Sequence, residues 1–324
     1  MCFSTIFIAV KRLRFLGINS IAMFGVTILG NNSAVPAYNR HPSAQIVTIK
    51  DQLLLFDCGE ATQFQIAKYK VKWNKIKYVF ISHLHGDHYF GLIGLISSMY
   101  LLGRKDPLYV YGPAALKPII DLQLQAADTH LPYELVFKPL SEDGIILNEA
   151  MFTVECFATQ HRIESRGFVV REKRKPRKIN KDTINEYHIP TQFYDNLQEG
   201  DDYIRKDGSG IKNELVTLPN SIGRSYAYTA DTLFDVNVAN KVKDVTLLYH
   251  ESTYLKHMAE SATLRFHSTT HQAATIALMA NVKKLIIGHF SSKYESIDVF
   301  LQEAKEVFPE TALALEGATY RIQG

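Results

Sequence analysis

Residues 82–91 read SHLHGDHYFG, and their composition decides how the rest of the chain is read. Three histidines (His83, His85, His88) and the carboxylate Asp87 fall within six positions, directly after the apolar run YVFI at 78–81. Neutral imidazole and carboxylate are the groups that Zn²⁺ accepts, at about 2.0–2.2 Å. Gly86 permits a tight turn after the strand, so the ligand atoms can converge on a small volume. Burying so many polar groups together without a cation would cost more than it returns.

Further groups of the same kinds stand where other apolar runs end. His161 follows FTVECFATQ, Asp231 follows SYAYTA and His289 follows KLIIG. Ligands carried at the ends of several strands would meet at one edge of a sheet, where α/β folds commonly place their sites. Seven such groups exceed what one tetrahedral ion can use. Two metals sharing a bridging carboxylate fit the count, with Asp231 as the bridge, and such a centre would attract a phosphate.

The surrounding chain supplies the frame. Short runs at 26–29, 46–49, 53–56, 78–81, 108–111, 134–137, 152–158, 226–229, 246–249 and 284–288 read as strands. Helices are expected at 60–70, after His88, at 114–126, 270–280 and 296–307, and the mixture implies a layered α/β protein. With 324 residues, 46% hydrophobic and 21% charged, the chain can bury a substantial core. A net charge of +3 neither demands nor excludes an anionic partner. The three scattered cysteines (Cys2, Cys58, Cys156) fit free thiols and a cytoplasmic location.

Two segments stand apart. Residues 1–22 carry a short apolar stretch followed by KRLR, which matches neither a signal peptide nor a membrane span. They read as an extension ahead of a domain covering 23–324. Between Arg171 and Leu218 lie 48 residues with few apolar runs, opening on the basic stretch REKRKPRKINK. So long an irregular connection is functional or disordered, and it reads as an arm projecting from the body.

At this level of detail the sequence resembles ribonuclease Z, the tRNA 3′-processing endonuclease family of the metallo-β-lactamase superfamily. The similarity runs from Val26 to Ile322. VTILGNNSAVP resembles the first strand and loop of the family, LLLFDCGEATQFQ its first aspartate motif and SHLHGDHYFGLIGLI its zinc motif. HRIESRGF, YTADT and HFSSKY resemble the later motifs, and HEST (250–253) and HST (267–269) resemble loops that set ribonuclease Z apart from lactamases.

That resemblance implies a metallo-β-lactamase αββα sandwich with a protruding arm, and a zinc-dependent endoribonuclease that removes 3′ trailers from precursor tRNA. It implies two Zn²⁺ per subunit, with Mn²⁺ or another divalent ion accepted by the same ligands. His83, His85 and His161 would hold one ion, Asp87, His88 and His289 the other, and Asp231 would bridge them. Asp87 would also orient or deprotonate the attacking water. His267, paired with Glu251, would protonate the departing oxygen, and Asp57 would steady a ligand loop. The arm would clamp tRNA across a homodimer, with Arg171, Lys173, Arg174, Lys175, Arg177 and Lys178 meeting phosphates. No membrane association is expected. The chain departs from the family in lacking a Gly-Pro arm tip, in Ala230 before the aspartate, and in Ser252 and Tyr254. The competing reading is a hydrolase of small phosphodiesters on the same fold; an RNA-binding protein with a degenerate site is disfavoured by the filled ligand positions.

Overall fold

The computed structural model describes residues 24–173, 176–220 and 223–323. The N-terminal extension, Arg174 and Lys175 lie outside the described residues.

Every apolar run read as a strand is one, and the strands assemble into two sheets of seven. In the first, the order is Thr319–Arg321, Phe24–Gly30, Ala44–Ile49, Gln52–Cys58, Ile76–Phe80, Leu108–Gly112 and Leu135–Pro139. In the second it is Thr311–Leu313, Lys284–Gly288, Leu247–Glu251, Ser225–Tyr228, Ser165–Glu172, Phe152–Thr159 and Gly144–Asn148. Four consecutive strands of each sheet are parallel, from Gln52–Cys58 to Leu135–Pro139 and from Ser225–Tyr228 to Thr311–Leu313. Their carboxyl ends therefore share one edge.

Alternation along the strands builds three apolar layers. Phe56, Phe80, Phe168, Tyr226 and Tyr249 belong to the core between the sheets, where the Phe56 and Phe80 rings stack at 4.9 Å. Opposite residues of the first sheet, such as Leu55, Val79 and Val110, pack under the helices Thr62–Lys68, Leu92–Leu101 and Leu116–Ala126. Leu248, Leu285 and Ile287 do the same for Val236–Lys241, Thr270–Met279 and Asp298–Val307. The result is the expected αββα sandwich. At about 1.5–3 kcal/mol for each fully buried large apolar side chain, these layers are the main source of stability. Cys58 and Cys156 are buried free thiols within them, and burial pushes the Cys58 thiol up to about 12.

The arm differs from its expectation as an irregular connection. It contains helices Lys181–Glu186, Tyr194–Glu199 and Asn213–Val216 and two short ribbons, Lys178–Ile179 with Thr217–Leu218 and Tyr203–Ile204 with Gly210–Ile211. Ile184, Ile189, Leu197, Ile211 and Val216 form its own small core. These apolar residues come from short, separated segments rich in polar residues, so no long run announces them in the sequence. The Asn213 side-chain amide ties the unit together through the carbonyls of Leu197 and Asp201, both at 2.8 Å.

Candidate metal centre

The site is built from loops at the shared sheet edge. After Ile76–Phe80 the chain turns through Ser82, His83 and His85 into a single helical turn, Gly86–Tyr89, which carries Asp87 and His88. That turn is pressed against the end of Gln52–Cys58. A Cβ at Gly59 would meet the Asp87 carbonyl oxygen at 2.4 Å, and one at Gly91 would meet the Gly59 carbonyl oxygen at 2.1 Å. His161 follows Phe152–Thr159, Asp231 follows Ser225–Tyr228, and His289 follows Lys284–Gly288. All seven expected ligand residues come together.

They form two lobes around one carboxylate. His85 Nδ1 lies 3.1 Å from His83 Nε2 and 3.0 Å from His161 Nε2. Asp87 Oδ2 lies 3.5 Å from His88 Nε2 and 3.4 Å from His289 Nε2. Asp231 reaches both lobes, with Oδ2 at 3.6 Å from His83 and 3.3 Å from His88, and Oδ1 at 3.3 Å from His289.

The outer hydrogen bonds fix which imidazole nitrogen faces inward. Ser82 Oγ donates to Asp57 Oδ2 at 2.9 Å, so the Ser82 oxygen accepts the Nδ1–H of His83 at 3.0 Å. His88 Nδ1–H donates to Asp57 Oδ2 at 2.7 Å, and His161 Nδ1–H to the Phe266 carbonyl at 2.9 Å. Thr253 Oγ1 donates to Glu251 and accepts from His289 Nδ1 at 2.9 Å. Four rings therefore point Nε2 lone pairs at the centre. Lone pairs at 3.0–3.1 Å repel unless a cation lies among them. His88 Nε2 and Asp231 Oδ1 are buried without a hydrogen-bond partner. The donor set thus fits divalent metal, and such outer-sphere partners are what a metal site needs to hold its ligands.

Charge in the centre follows the same logic. Burial, assisted by the neighbouring His88, keeps His83 well below the ordinary histidine value. Burial brings His85 down to about 4, so both are neutral and able to ligate. Burial would also strip His88, but Asp231, Asp87 and Asp57 outweigh it and hold His88 well above its usual value. The three carboxylates thus demand positive charge at His88, which a divalent ion at its Nε2 would supply. Asp231 is desolvated, yet the His289 and His88 rings hold its carboxyl well below the usual range.

Beside the lobes, His267 Nδ1 lies 2.9 Å from Glu251 Oε1 and 4.0 Å from Asp231 Oδ2. Burial opposes its protonation, but the Glu251 carboxylate prevails and raises His267 to about 9. Glu251 is held in turn by the N–H groups of Thr232 and Thr253, at 3.2 and 3.0 Å.

The basic residues of the arm segment are not equivalent. Arg171 sits in a strand of the second sheet, 3.2 Å from Glu155, and Arg177 Nε donates to Thr217 Oγ1 at 2.6 Å. Lys173 and Lys178 are exposed. Tyr228, whose hydroxyl donates to Asp57 at 2.6 Å, and Ser82, Thr253 and the Ala34 N–H, which donates to Asp87 at 2.8 Å, were not singled out from the sequence. Their residue types are too common to stand out; only adjacency to the motifs marks Ser82 and Thr253.

The sequence and the fold are similar to those of known proteins. Ribonuclease Z of Phocaeicola vulgatus is 39% identical over 302 residues, covering 93% of this chain and 98% of its own length. Ribonuclease Z of Cytophaga hutchinsonii is 41% identical over 303 residues, covering 92% and 96%. The chain belongs to the ribonuclease Z family. A family model described as anti-Pycsar protein Apyc1 also matches it, over residues 24–308, and makes it a member of that family as well. Among solved structures, human tRNase Z, short form, is similar with a TM-score of 0.68 and 25% identity, covering 93% of this chain and 100% of that one. YhfI of Bacillus subtilis, a metallo-β-lactamase fold protein, shares the fold at a TM-score of 0.66 and 21% identity, covering 93% and 99%. The αββα sandwich of this ribonuclease Z family member is the metallo-β-lactamase fold.

Proposed function

We propose that this protein is a metal-dependent endonuclease that removes 3′ trailers from precursor tRNA and leaves a 3′-hydroxyl on the tRNA. The observation that carries the reading is the His267–Glu251 pair standing against a two-lobed ligand cluster, in a chain of the ribonuclease Z family. A cluster alone would serve any hydrolase of this fold. The added acid beside it suits expulsion of a poor alkoxide leaving group.

His83, His85 and His161 would hold one ion and Asp87, His88 and His289 a second, with Asp231 between them. The chemistry of the ligands favours zinc, and Mn²⁺ is the alternative. Bound there, the ions would polarise the phosphodiester and make hydroxide available at neutral pH. Asp87, fixed by the Ala34 N–H, orients the attacking water and accepts its proton. The Glu251 carboxylate favours the protonated form of His267, which donates to the departing 3′-oxygen, and holds its ring in place. The exposed Lys173 and Lys178 on and beside the arm support phosphate contacts to the tRNA body, with Arg171, Arg174, Lys175 and Arg177 as further candidates.

We further propose a cytoplasmic homodimer. Exposed Phe64, Phe90, Leu101, Leu102 and Leu122 in and beside the first helical layer support a partner copy there. Among the described residues no helix is long and apolar enough to cross a membrane.

The test is incubation with a 3′-extended precursor tRNA, mapping the cut and measuring bound metal before and after chelation. Cleavage at the trailer junction that is lost with the metal is the expected result. Hydrolysis of small phosphodiesters is the second reading, because the ligand cluster would serve that reaction on the same fold. Turnover of a small diester such as bis(p-nitrophenyl) phosphate with precursor tRNA left intact would favour it.

A further inference from the structure

We infer that Phe266 and Arg162 form a nucleotide-binding rim on the metal centre: Phe266 stacks on a base of the substrate strand and Arg162 pairs with a backbone phosphate. The inference rests on the endonuclease reading and adds two substrate-positioning residues to which the resemblance assigned no role.

Phe266 is in the left-handed region, with φ at +60°. A bulky side chain in that conformation is an outlier, and such outliers persist where the surroundings impose them. Here its N–H donates to the Thr263 carbonyl at 3.2 Å, and its carbonyl accepts from His161 Nδ1 at 2.9 Å. Glycine would meet those backbone demands without steric strain. The aromatic side chain is not repaid by packing either. It belongs to none of the hydrophobic clusters and remains only partly buried. Its ring stands edge-on to the ligand ring of His161, with centroids 6.5 Å apart and planes at 88°. An aromatic face kept at the mouth against local backbone preference is a platform for a planar group, and every nucleic-acid base offers one.

Arg162 is the residue after the same ligand. Its Nη2 lies 3.0 Å from His85 Nε2. His85 turns Nδ1 toward His83 and His161, so with a cation among those nitrogens its outer Nε2 carries the hydrogen. Guanidinium has only donors. Donor then faces donor, and the contact with His85 is lost. The nearest carboxylate in sequence, Glu164, is taken by Arg166 at 3.0 Å. Arg162 is exposed, and loading the centre frees its fork of N–H groups for an anion. Phosphate oxygens match that fork.

The experiment measures kcat and KM for 3′-extended precursor tRNA with Phe266→Gly, Phe266→Leu, Phe266→Trp and Arg162→Ala, alongside metal content and melting temperature. Phe266→Gly and Phe266→Leu are expected to raise KM by about 5–150-fold, the worth of one stacked base, while Phe266→Trp keeps the wild-type KM. Phe266→Gly is expected to melt no lower than the wild type, because it releases the positive φ. Arg162→Ala is expected to raise KM and to flatten its salt dependence by about one unit of log–log slope. A wild-type KM in Phe266→Leu, or loss of metal in Phe266→Gly, would overturn the rim. If the wild type leaves precursor tRNA uncut, it is the endonuclease reading that fails. Fluorescence binding of a labelled single-stranded oligoribonucleotide then judges the rim, with weaker binding by Phe266→Leu supporting it and equal binding rejecting it.

Discussion

Asp57 accepts the Nδ1–H of His88 at 2.7 Å, from beneath the metal centre rather than within it. The same carboxylate accepts the Ser82 N–H at 2.8 Å, the Ser82 hydroxyl at 2.9 Å and the Tyr228 hydroxyl at 2.6 Å. It thereby fixes His88 directly and His83 through Ser82, one ligand of each lobe. Asp57 itself has φ at +53°, which asparagine also tolerates. Asp57→Asn should therefore keep the backbone while misorienting both rings. Metal affinity is expected to fall about 10–100-fold, read by competition with a chelator of known affinity.

Removing the acid beside the centre should separate chemistry from metal binding. His267→Ala is expected to lower kcat on precursor tRNA by about 10²–10⁴-fold with full metal content. Glu251→Gln should lower kcat less, because the imidazole remains but its protonated form loses the partner at 2.9 Å. Metal loss in His267→Ala would instead make the residue a ligand.

Ala230 is buried with φ at +53°, immediately before the bridging carboxylate. An L-residue there costs about 1–2 kcal/mol, whereas glycine would add about 0.4–1 kcal/mol of unfolded-state entropy. Loss of the Ala230 methyl from the core between the sheets costs about 0.8 kcal/mol more. The terms nearly cancel, so Ala230→Gly should melt close to the wild type, and a large fall in melting temperature would contradict the strain.

Asp143 gives a pH signature away from the centre. Partial burial would raise its carboxyl, but Lys241 at 2.9 Å, the Ala158 N–H at 2.8 Å and Arg166 at 3.1 Å together hold it below the usual value. A depressed carboxylate contributes stability that is present above its unfolded value, near 3.9, and is lost as pH falls through the folded one. The site is partly exposed and screened, so Asp143→Asn should cost only about 0.5 kcal/mol at pH 7. The difference from wild type, followed by urea unfolding, should vanish in strong acid.

Much of this was legible beforehand. The strands of both sheets that carry ligands are apolar runs, because a strand buried on two faces leaves no room for polar residues. The seven ligands stood out because His and Asp are rarely placed just past such runs. The strands Ser165–Glu172 and Gly144–Asn148 did not, since the first carries charged residues within it and the second lies at an exposed edge. The folded arm was hidden because its small core draws single residues from distant turns.

By itself the sequence determined the chemistry available: which side chains can bind metal, which stretches must be buried, and that strand ends carry the ligands. Tertiary structure alone decided how those groups face one another. The order of the strands brings four separate ligand loops to one edge, and hydrogen bonds to Asp57, Ser82, Thr253 and Phe266 choose the nitrogen that His88, His83, His289 and His161 turn inward. A residue type has two possible tautomers and several rotamers. Only contacts made across the fold select one of them, which is why Phe266 and Arg162 gain their meaning from a neighbour at His161 and His85 rather than from any motif.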